Sequence, residues 1–384
     1  MSMRSVSVRR ALTDAPADRV VEAMRDALRP AYGVEDVDLL LVDYQMAALL
    51  PLTEGAAVTR PGDPAWRCFD HQTEVLADTV LYLPVTVRGE RLGVLRCRPA
   101  PAAAEDRAEL ADLATALGHE LQSATVGTDR YTMAARTRRL TLAAEMQWEL
   151  LPGRSRIRPS FGLAGQLEPS YAVHGDSFDW AEHDGRLSLS VLNGMGEGMT
   201  AALLTSLVTY ALRNARRAGL SIADQAALAD QAVFAQHAGR SYVSALMLEL
   251  DLAEGTLLVV DAGSPRLILL RDGEAATQRL DAQFPLGMFE GTDYRAELIR
   301  LRPGDRLIVL SDGITEAAAY GEVPLSRFLR RVSPMAPLQA VRSLLSDLRT
   351  HLGDNDLQDD AVAVVLDWMA SLRSAGDRPQ QPLR

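Results

Sequence analysis

The sequence predicts an α+β chain. A small N-terminal α+β domain precedes a helical linker, and a C-terminal α/β sandwich of two antiparallel sheets flanked by helices follows. Three observations support this. The chain, at 384 residues, is longer than one ordinary domain. Strand-like stretches recur, with helical patterns grouped between them. A stretch without Gly or Pro separates the two parts. We expect domains at 1–125 and 153–368, a linker at 126–152 and a disordered polar tail at 369–384.

Composition excludes several classes of protein. Hydrophobic residues make up 47% of the chain and charged residues 24%, as in globular domains. The net charge of −11 argues against general binding to nucleic acid or anionic lipid. No apolar run approaches the roughly 18 residues of a membrane helix, and the N-terminus lacks a signal-peptide core. All 40 basic residues are arginine, which excludes P-loop, kinase and Schiff-base lysines. A cytoplasmic location fits this pattern.

The N-terminal domain shows helix, antiparallel strands and helix in that order. A helix is predicted at 17–29, a strand at 37–43, a hairpin from strands 79–87 and 91–97, and an amphipathic helix at 104–124. The stretch LYLPVTVRGERLGVLRCRP resembles the last strands of a GAF domain. That resemblance implies a sensor domain, and such domains hold either a small-molecule ligand or none.

The linker is predicted to be one helix over 129–151, ended by Pro152-Gly153. Two interpretations of it stay open. Met133, Leu140, Ala144 and Leu151 could form the seam of a coiled coil, which would make a homodimer. The same apolar residues could instead pack against the chain's own domains.

The C-terminal part alternates strands with groups of helices. We expect three helices, at 199–217, 222–236 and 338–351. Strands are expected at 187–192, 242–252, 256–261, 266–270, 294–301, 306–310 and 361–366. Many strands with helices grouped between them predict two sheets packed face to face.

Four polar motifs occur where a strand meets a turn. Short carboxylates at strand ends suit hard divalent cations, and an adjacent glycine lets the backbone carbonyl approach the metal. Two such cations can activate a water for attack on phosphorus without a nucleophilic side chain. The motifs are His174-Gly-Asp176-Ser-Phe-Asp179, Asn193-Gly194-Met-Gly-Glu197-Gly, Asp312-Gly313 and Asp359-Asp360.

Each motif alone has a simpler interpretation. Asp-Gly pairs are common in turns, and any one of them is more often a turn than a ligand. The glycine-rich run at 194–198, which precedes a helix, could also be a phosphate-binding loop at a helix N-terminus. It lacks the strand–helix–strand unit and the downstream acid of a dinucleotide site.

Taken together and in order, the motifs resemble PPM-type (PP2C-like) serine/threonine phosphatases of the SpoIIE/RsbU family. The similarity extends over more than 200 residues, and motif order and spacing carry it. The matching segments are AAEMQWELLPG, HGDSFDW, LNGMGEGMTAALL, YVSALMLELDLAEGTLLVVDAGSPRLILLRDG, LRPGDRLIVLSDGITEA and DDAVAVV.

The resemblance implies a metal-dependent phosphatase acting through a metal-bridged water. Two Mn²⁺ or Mg²⁺ ions would be held by Asp176, the residue at 193, the Gly194 carbonyl, Asp312 and Asp359. The implied substrate is a small phosphorylated anti-sigma-factor antagonist, and the N-terminal sensor and linker would gate activity. The residues expected just behind the ligands are Asp179, Glu197, Gly313 and Asp360.

The chain departs from the family at one ligand. Asn193 stands where the family has the aspartate that touches both metals, and an amide offers one neutral oxygen in place of two anionic ones. Glu197 could restore a carboxylate only if the backbone brought it inward. Two functions therefore remain: an active phosphatase with a weakened site, or a non-catalytic regulatory binding protein. Val362 and Ser264 replace a family Thr and His, neither of which is an expected ligand.

Overall fold

The computed structural model describes residues 2–137, 139–170, 173–263, 265–315, 325–352, 357 and 359–370, without the side chains of 325–327 and 351–352. The chain divides into two compact units, Met1–Arg139 and Leu140–Arg384. Ser264 and residues 371–384 of the predicted tail lie outside the described residues. No helix in the described part is long and apolar enough to cross a membrane.

The N-terminal unit is one antiparallel sheet, in the order β2-β1-β5-β4-β3, with helices packed on its core face. The expected helix at 104–124 and the hairpin around Gly89 are both present. Its elements are α1 (Met3–Thr13), α2 (Val20–Tyr32), β1 (Asp36–Val42), β2 (Leu49–Pro51), α3 (Pro64–His71), β3 (Val75–Ala77), β4 (Val80–Val87), β5 (Glu90–Arg98), α4 (Ala104–Ala124) and α5 (Arg130–Ala134).

Helix α1 was not predicted from the sequence. Only Ser5, Val8 and Leu12 of its residues are buried, so its periodic apolar signal is weak. The Ser2 hydroxyl accepts a hydrogen bond from the Ser5 amide and caps the helix. The likeness of this unit to GAF domains remains a prediction.

The prediction of a single linker helix is wrong. Helix α5 ends at Ala134, and a separate helix, α6, covers Leu142–Leu150. The Thr141 hydroxyl caps α6 by accepting a hydrogen bond from the Ala144 amide at 3.2 Å. A capping threonine therefore starts a new helix in a stretch without Gly or Pro. The four proposed seam residues do not share one continuous helix.

The C-terminal unit is an α/β sandwich of two antiparallel sheets, ordered β14-β11-β10-β9-β8 and β13-β12-β15-β16-β7-β6. Its strands are β6 (Ser155–Ile157), β7 (Phe161–Glu168), β8 (Asp176–His183), β9 (Arg186–Gly194), β10 (Val243–Asp251), β11 (Thr256–Ala262), β12 (Arg266–Arg271), β13 (Glu274–Thr277), β14 (Glu297–Arg300), β15 (Arg306–Leu310) and β16 (Ala361–Trp368). Its further helices are α7 (Gly198–Arg217), α8 (Ile222–His237), α9 (Asp312–Thr315), α10 (Leu325–Val332) and α11 (Pro337–Leu352).

Helices cover both outer faces of the sandwich. Helices α7 and α8 bury their apolar sides on the β9–β11 face, and α11 packs on β7 and β16. Inward-facing residues of both sheets form the central core. Strands β7 and β8 were missed because β7 contains two glycines and β8 is largely polar. The strand expected at 294–301 is only Glu297–Arg300.

The two sheets meet closely at Phe178 of β8 and Gly165 of β7. The Phe178 ring is 1% exposed, and its nearest carbon lies 2.6 Å from where a Cβ on Gly165 would stand. Only glycine at 165 therefore leaves room for the ring, and the ring fills the space between the sheets.

We predict that Phe178→Ala lowers the free energy of unfolding of the C-terminal unit by about 3–5 kcal/mol, through lost burial and a cavity. Urea unfolding of the full chain measures the change. Leu298→Ala is the control, because that side chain is 54% exposed on β14 and should matter little. Equal effects from both variants would contradict the packing argument.

Candidate functional site

The polar motifs converge where the ends of the two sheets meet. Asp176 opens β8 and lies directly opposite Asn193 near the end of β9. Asp312 follows β15, and Asp359 and Asp360 precede β16, which pairs with β15. Residues from distant parts of the sequence thus come together, because the ends of the paired strands that carry them lie side by side at one edge of the sandwich.

The Asp360 carboxylate organises this end of the unit. It is fully buried and accepts six hydrogen bonds, which satisfy both of its oxygens. Backbone and hydroxyl donors of one short segment supply most of them. The donors are Ser170 N (2.8 Å), Ser170 Oγ (2.9 Å), His174 N (2.8 Å), Gly175 N (3.0 Å), Asp176 N (3.3 Å) and Gln147 Nε2 (2.9 Å).

Gln147 joins helix α6 to the same cluster. Its Nε2 also donates to the Asp176 carbonyl at 3.1 Å, and the residue is 1% exposed. A buried amide requires hydrogen-bond partners, and Gln147 finds them at Asp176 and Asp360. The sequence interpretation missed its role.

The Asp176 carboxylate is buried without partners. It is 0% exposed, and neither oxygen accepts a hydrogen bond within the described part of the chain. Burial raises its pKa well above the usual range, and the charges of Asp360, Asp312 and Asp359 add to the rise. The Ser311 hydroxyl favours the charged form but does not reach hydrogen-bonding geometry. A proton or a cation is needed to neutralise this group.

Asn193 faces Asp312 through its amide nitrogen. Nδ2 donates to both Asp312 oxygens, at 2.9 and 3.1 Å. Carboxylate oxygens at these distances can only accept, so the amide orientation follows from its partner. These two hydrogen bonds join the sheets at the site.

Asp359 is partly exposed, unlike Asp176. Its side chain is 37% exposed, and its Oδ1 lies 3.7 Å from His174 Nδ1. Burial raises the pKa of Asp359, Asp312 adds to the rise, and His174 opposes it. The His174 ring also contacts the Ser170 hydroxyl at 2.8 Å. His174 thus lines the site, as its position beside Asp176 suggested.

Two glycines permit the close approach of these segments. A Cβ on Gly313 would lie 1.9 Å from the Asp360 carbonyl oxygen, so no other residue fits after Asp312. Gly175 has a φ of +87°, and its carbonyl accepts from the Gly194 amide and the Thr205 hydroxyl. Gly194 therefore lies next to Asp176, as expected, because β9 pairs with β8 at Asn193 and Asp176.

Two residues expected behind the ligands lie elsewhere. Asp179 is three residues along β8 from Asp176 and points to the other face. It forms ion pairs with Arg213 and Arg216 of α7, at 2.9 and 3.2 Å. Glu197 is exposed at the start of α7 and makes no capping hydrogen bond. Neither replaces the carboxylate absent at 193.

The cluster fits a divalent cation in part. Asp176 presents two unpartnered oxygens among negative neighbours, which a cation would neutralise. Within the described ranges, however, no three His, Cys, Asp or Glu side chains already stand as a metal cluster. The Asn193 amide nitrogen already donates to Asp312, so only its neutral oxygen is left to face a cation. Asp176, Asp312 and Asp359 are the residues that would hold the ion.

Residues 183–369 match the family model described as Stage II sporulation protein E (SpoIIE). The chain is 26% identical over 188 residues to phosphoserine phosphatase RsbP of Bacillus subtilis, covering 47% of this chain and 46% of RsbP. It is 20% identical over 232 residues to phosphoserine phosphatase RsbU of the same organism, covering 59% and 69%. The chain therefore spans about half the length of RsbP.

A solved structure is also similar. The RsbU and RsbW domains of Rv1364c from Mycobacterium tuberculosis superpose with a TM-score of 0.48 at 24% identity. The superposition covers 57% of this chain and 62% of that one.

We predict that Asp360→Asn destabilises the C-terminal unit by roughly 3–5 kcal/mol, as for other broken buried charge networks. Both carboxylate oxygens accept, so either orientation of the amide sets an NH₂ group against N–H donors. Urea unfolding measures the loss. Asp184→Asn is the control, since that side chain is 86% exposed in a turn. An Asp360→Asn protein as stable as the control would show that the network contributes little.

Proposed function

We propose that the chain is a metal-dependent serine/threonine protein phosphatase of the PPM type. The match of residues 183–369 to the SpoIIE family model supports this proposal. One observation carries the proposal. The Asp176 carboxylate is fully buried, has no hydrogen-bond partner in the described structure and is surrounded by the negative charges of Asp312 and Asp359. A divalent cation satisfies all three groups.

The chain's own residues would divide the work. Asp176, Asp312 and Asp359 would hold two cations, Mn²⁺ or Mg²⁺, and Asp360 orders the backbone that presents Asp176. The cations, when bound, supply positive charge that neutralises phosphate oxygens and activates water for attack on phosphorus. No side-chain nucleophile is required. Asn193 contributes no negative charge, so it should weaken cation binding relative to an aspartate.

A second candidate function follows from Asn193. Its two hydrogen bonds to Asp312 engage a carboxylate that a metal would otherwise use. A chain that keeps this arrangement would bind a phosphoprotein without hydrolysing it and would signal through the complex. We place the active enzyme first because three carboxylates of the expected set remain.

We further propose a regulatory phosphoprotein as the substrate, of the anti-sigma-factor antagonist type. RsbP and RsbU are both named phosphoserine phosphatases, which supports a phosphoserine substrate here. The N-terminal unit would act as the sensor. Helix α6 is the first helix after the division between the units. Its Gln147 donates hydrogen bonds to Asp176 and Asp360, so we propose that α6 transmits the signal of the N-terminal unit to the site.

We predict that Mn²⁺ supports hydrolysis of a phosphoserine peptide by the wild type, and that Asp312→Ala loses it. Asn193→Asp should lower the Mn²⁺ concentration required by roughly tenfold or more, since even residues behind the ligands change metal affinity that much. Initial rates across a Mn²⁺ titration measure both effects. The Mn²⁺-dependent rise in Tm gives a readout without turnover.

Two results would decide between the candidates. Turnover by the wild type that is lost in Asp312→Ala supports the enzyme. Turnover by Asn193→Asp alone contradicts it and supports the binding protein.

We predict that Gln147→Ala raises the Mn²⁺ concentration for half-maximal Tm shift by roughly tenfold, because the amide no longer orients Asp176 and Asp360. Glu149→Ala is the matched control, since Glu149 lies on the exposed side of the same helix. If the two variants gave identical curves of Tm shift against Mn²⁺ concentration, Gln147 would have no part in controlling the site.

A further inference from the structure

A pocket of about 340 Å³ opens beside Asn193 and Asp312. Its walls come from both sheets: the end of β9 and the start of β10 on one side, and the β11–β12 connection, the end of β15 and α9 on the other. A pocket of this volume can hold a small polar group and the side chain that carries it. The pocket lies next to the expected metal ligands Asn193 and Asp312.

Arg266 is the only cationic side chain among the lining residues that the structure describes. It is exposed, and within the described structure it has neither an ion pair nor a side-chain hydrogen bond. Other arginines of the same sheet are engaged. Arg271 binds Asp305 at 2.6 Å, and Arg306 binds Asp367 at 2.7 Å. The Arg266 guanidinium is therefore available to an external partner.

The backbone directs Arg266 toward the site. It opens β12 directly opposite Leu310, two residues before Asp312. Arg266 and Asp312 thus line one pocket without forming an ion pair, and the space between them is open to a ligand.

The chemistry of the walls favours an anion that also accepts hydrogen bonds. Tyr242 and Ser244, which also line the pocket, carry hydroxyl groups of the kind that donate hydrogen bonds. Among the described lining residues, one arginine and one aspartate give charges that cancel, because Asn193 is neutral. An aspartate at 193 would make that wall net negative and repel an anion.

We propose that Arg266 binds the phosphate of phosphoserine or phosphothreonine in this pocket and positions it over Asp312; this rests on the proposed function. The guanidinium fork matches two phosphate oxygens, which neither lysine nor a hydroxyl does. The substrate class is a phosphate monoester dianion on a side chain, and the recognising group is this arginine. The simpler alternative is a solvated surface arginine.

The test uses a full-length chain and a peptide that carries the non-hydrolysable phosphonate analogue of phosphoserine. Its affinity is compared with that of the same peptide carrying serine, in Mn²⁺ and in EDTA, by fluorescence anisotropy. The variants are Arg266→Ala and Arg266→Lys. Arg217→Ala is the matched control, because Arg217 is an exposed arginine at the far end of α7, about 30 Å along that helix from Gly198.

We expect Arg266→Ala to lose about tenfold or more of the preference for the phosphonate peptide, as expected for a lost charge-assisted bidentate contact. Arg266→Lys should recover part of it, and Arg217→Ala should match the wild type. The proposal would be overturned if the wild type and Arg266→Ala preferred the phosphonate peptide over the serine peptide to the same degree. It would also be overturned if inorganic phosphate displaced the phosphonate peptide equally well from both proteins.

The outcome is separable from that of the proposed function. A preference that depends on Arg266 in a chain without Mn²⁺-dependent turnover supports this site and contradicts catalysis. Turnover lost in Asp312→Ala together with an unchanged preference in Arg266→Ala supports catalysis and contradicts this site.

Discussion

The buried Asp360 carboxylate is the constraint on which the C-terminal unit depends. One side chain accepts hydrogen bonds from α6, from Ser170 and from three successive backbone amides at 174–176. A buried charge is tolerated only when it is this well satisfied. Strand β16, the segment before β8 and helix α6 are therefore joined at one point, where the two sheets also meet.

That arrangement leaves a second buried carboxylate unsatisfied. Neither Asp176 carboxylate oxygen accepts a hydrogen bond in the described structure. Burial raises the pKa of Asp176, and the charges of Asp360, Asp312 and Asp359 add to the rise. In the charged form, Asp176 opposes folding unless a cation is present. The chain thus accepts a local cost at the position where function is proposed, as active sites commonly do.

Asn193 reduces the negative charge of this cluster. Its amide satisfies Asp312, which stabilises the unit without a metal, and it leaves the neighbouring pocket with balanced wall charges. Under the proposed function, this neutral residue would weaken cation binding and favour anion binding. The candidate site would then combine the carboxylates Asp176, Asp312 and Asp359 with Arg266 on the opposite wall of the pocket.

The sequence alone determined the α+β organisation and the two-sheet sandwich, and it predicted Asp176, Asn193, Asp312 and Asp359 as candidate site residues, because motifs at strand ends are local signals. The tertiary structure decided what those residues contact. Gln147 and Arg266 lie far from the four polar motifs along the chain, and only the tertiary fold brings them to the site. Asp179 matched a motif, yet its odd spacing on β8 turned it to the arginines of α7. Contacts between distant segments depend on register and packing, which no local pattern encodes.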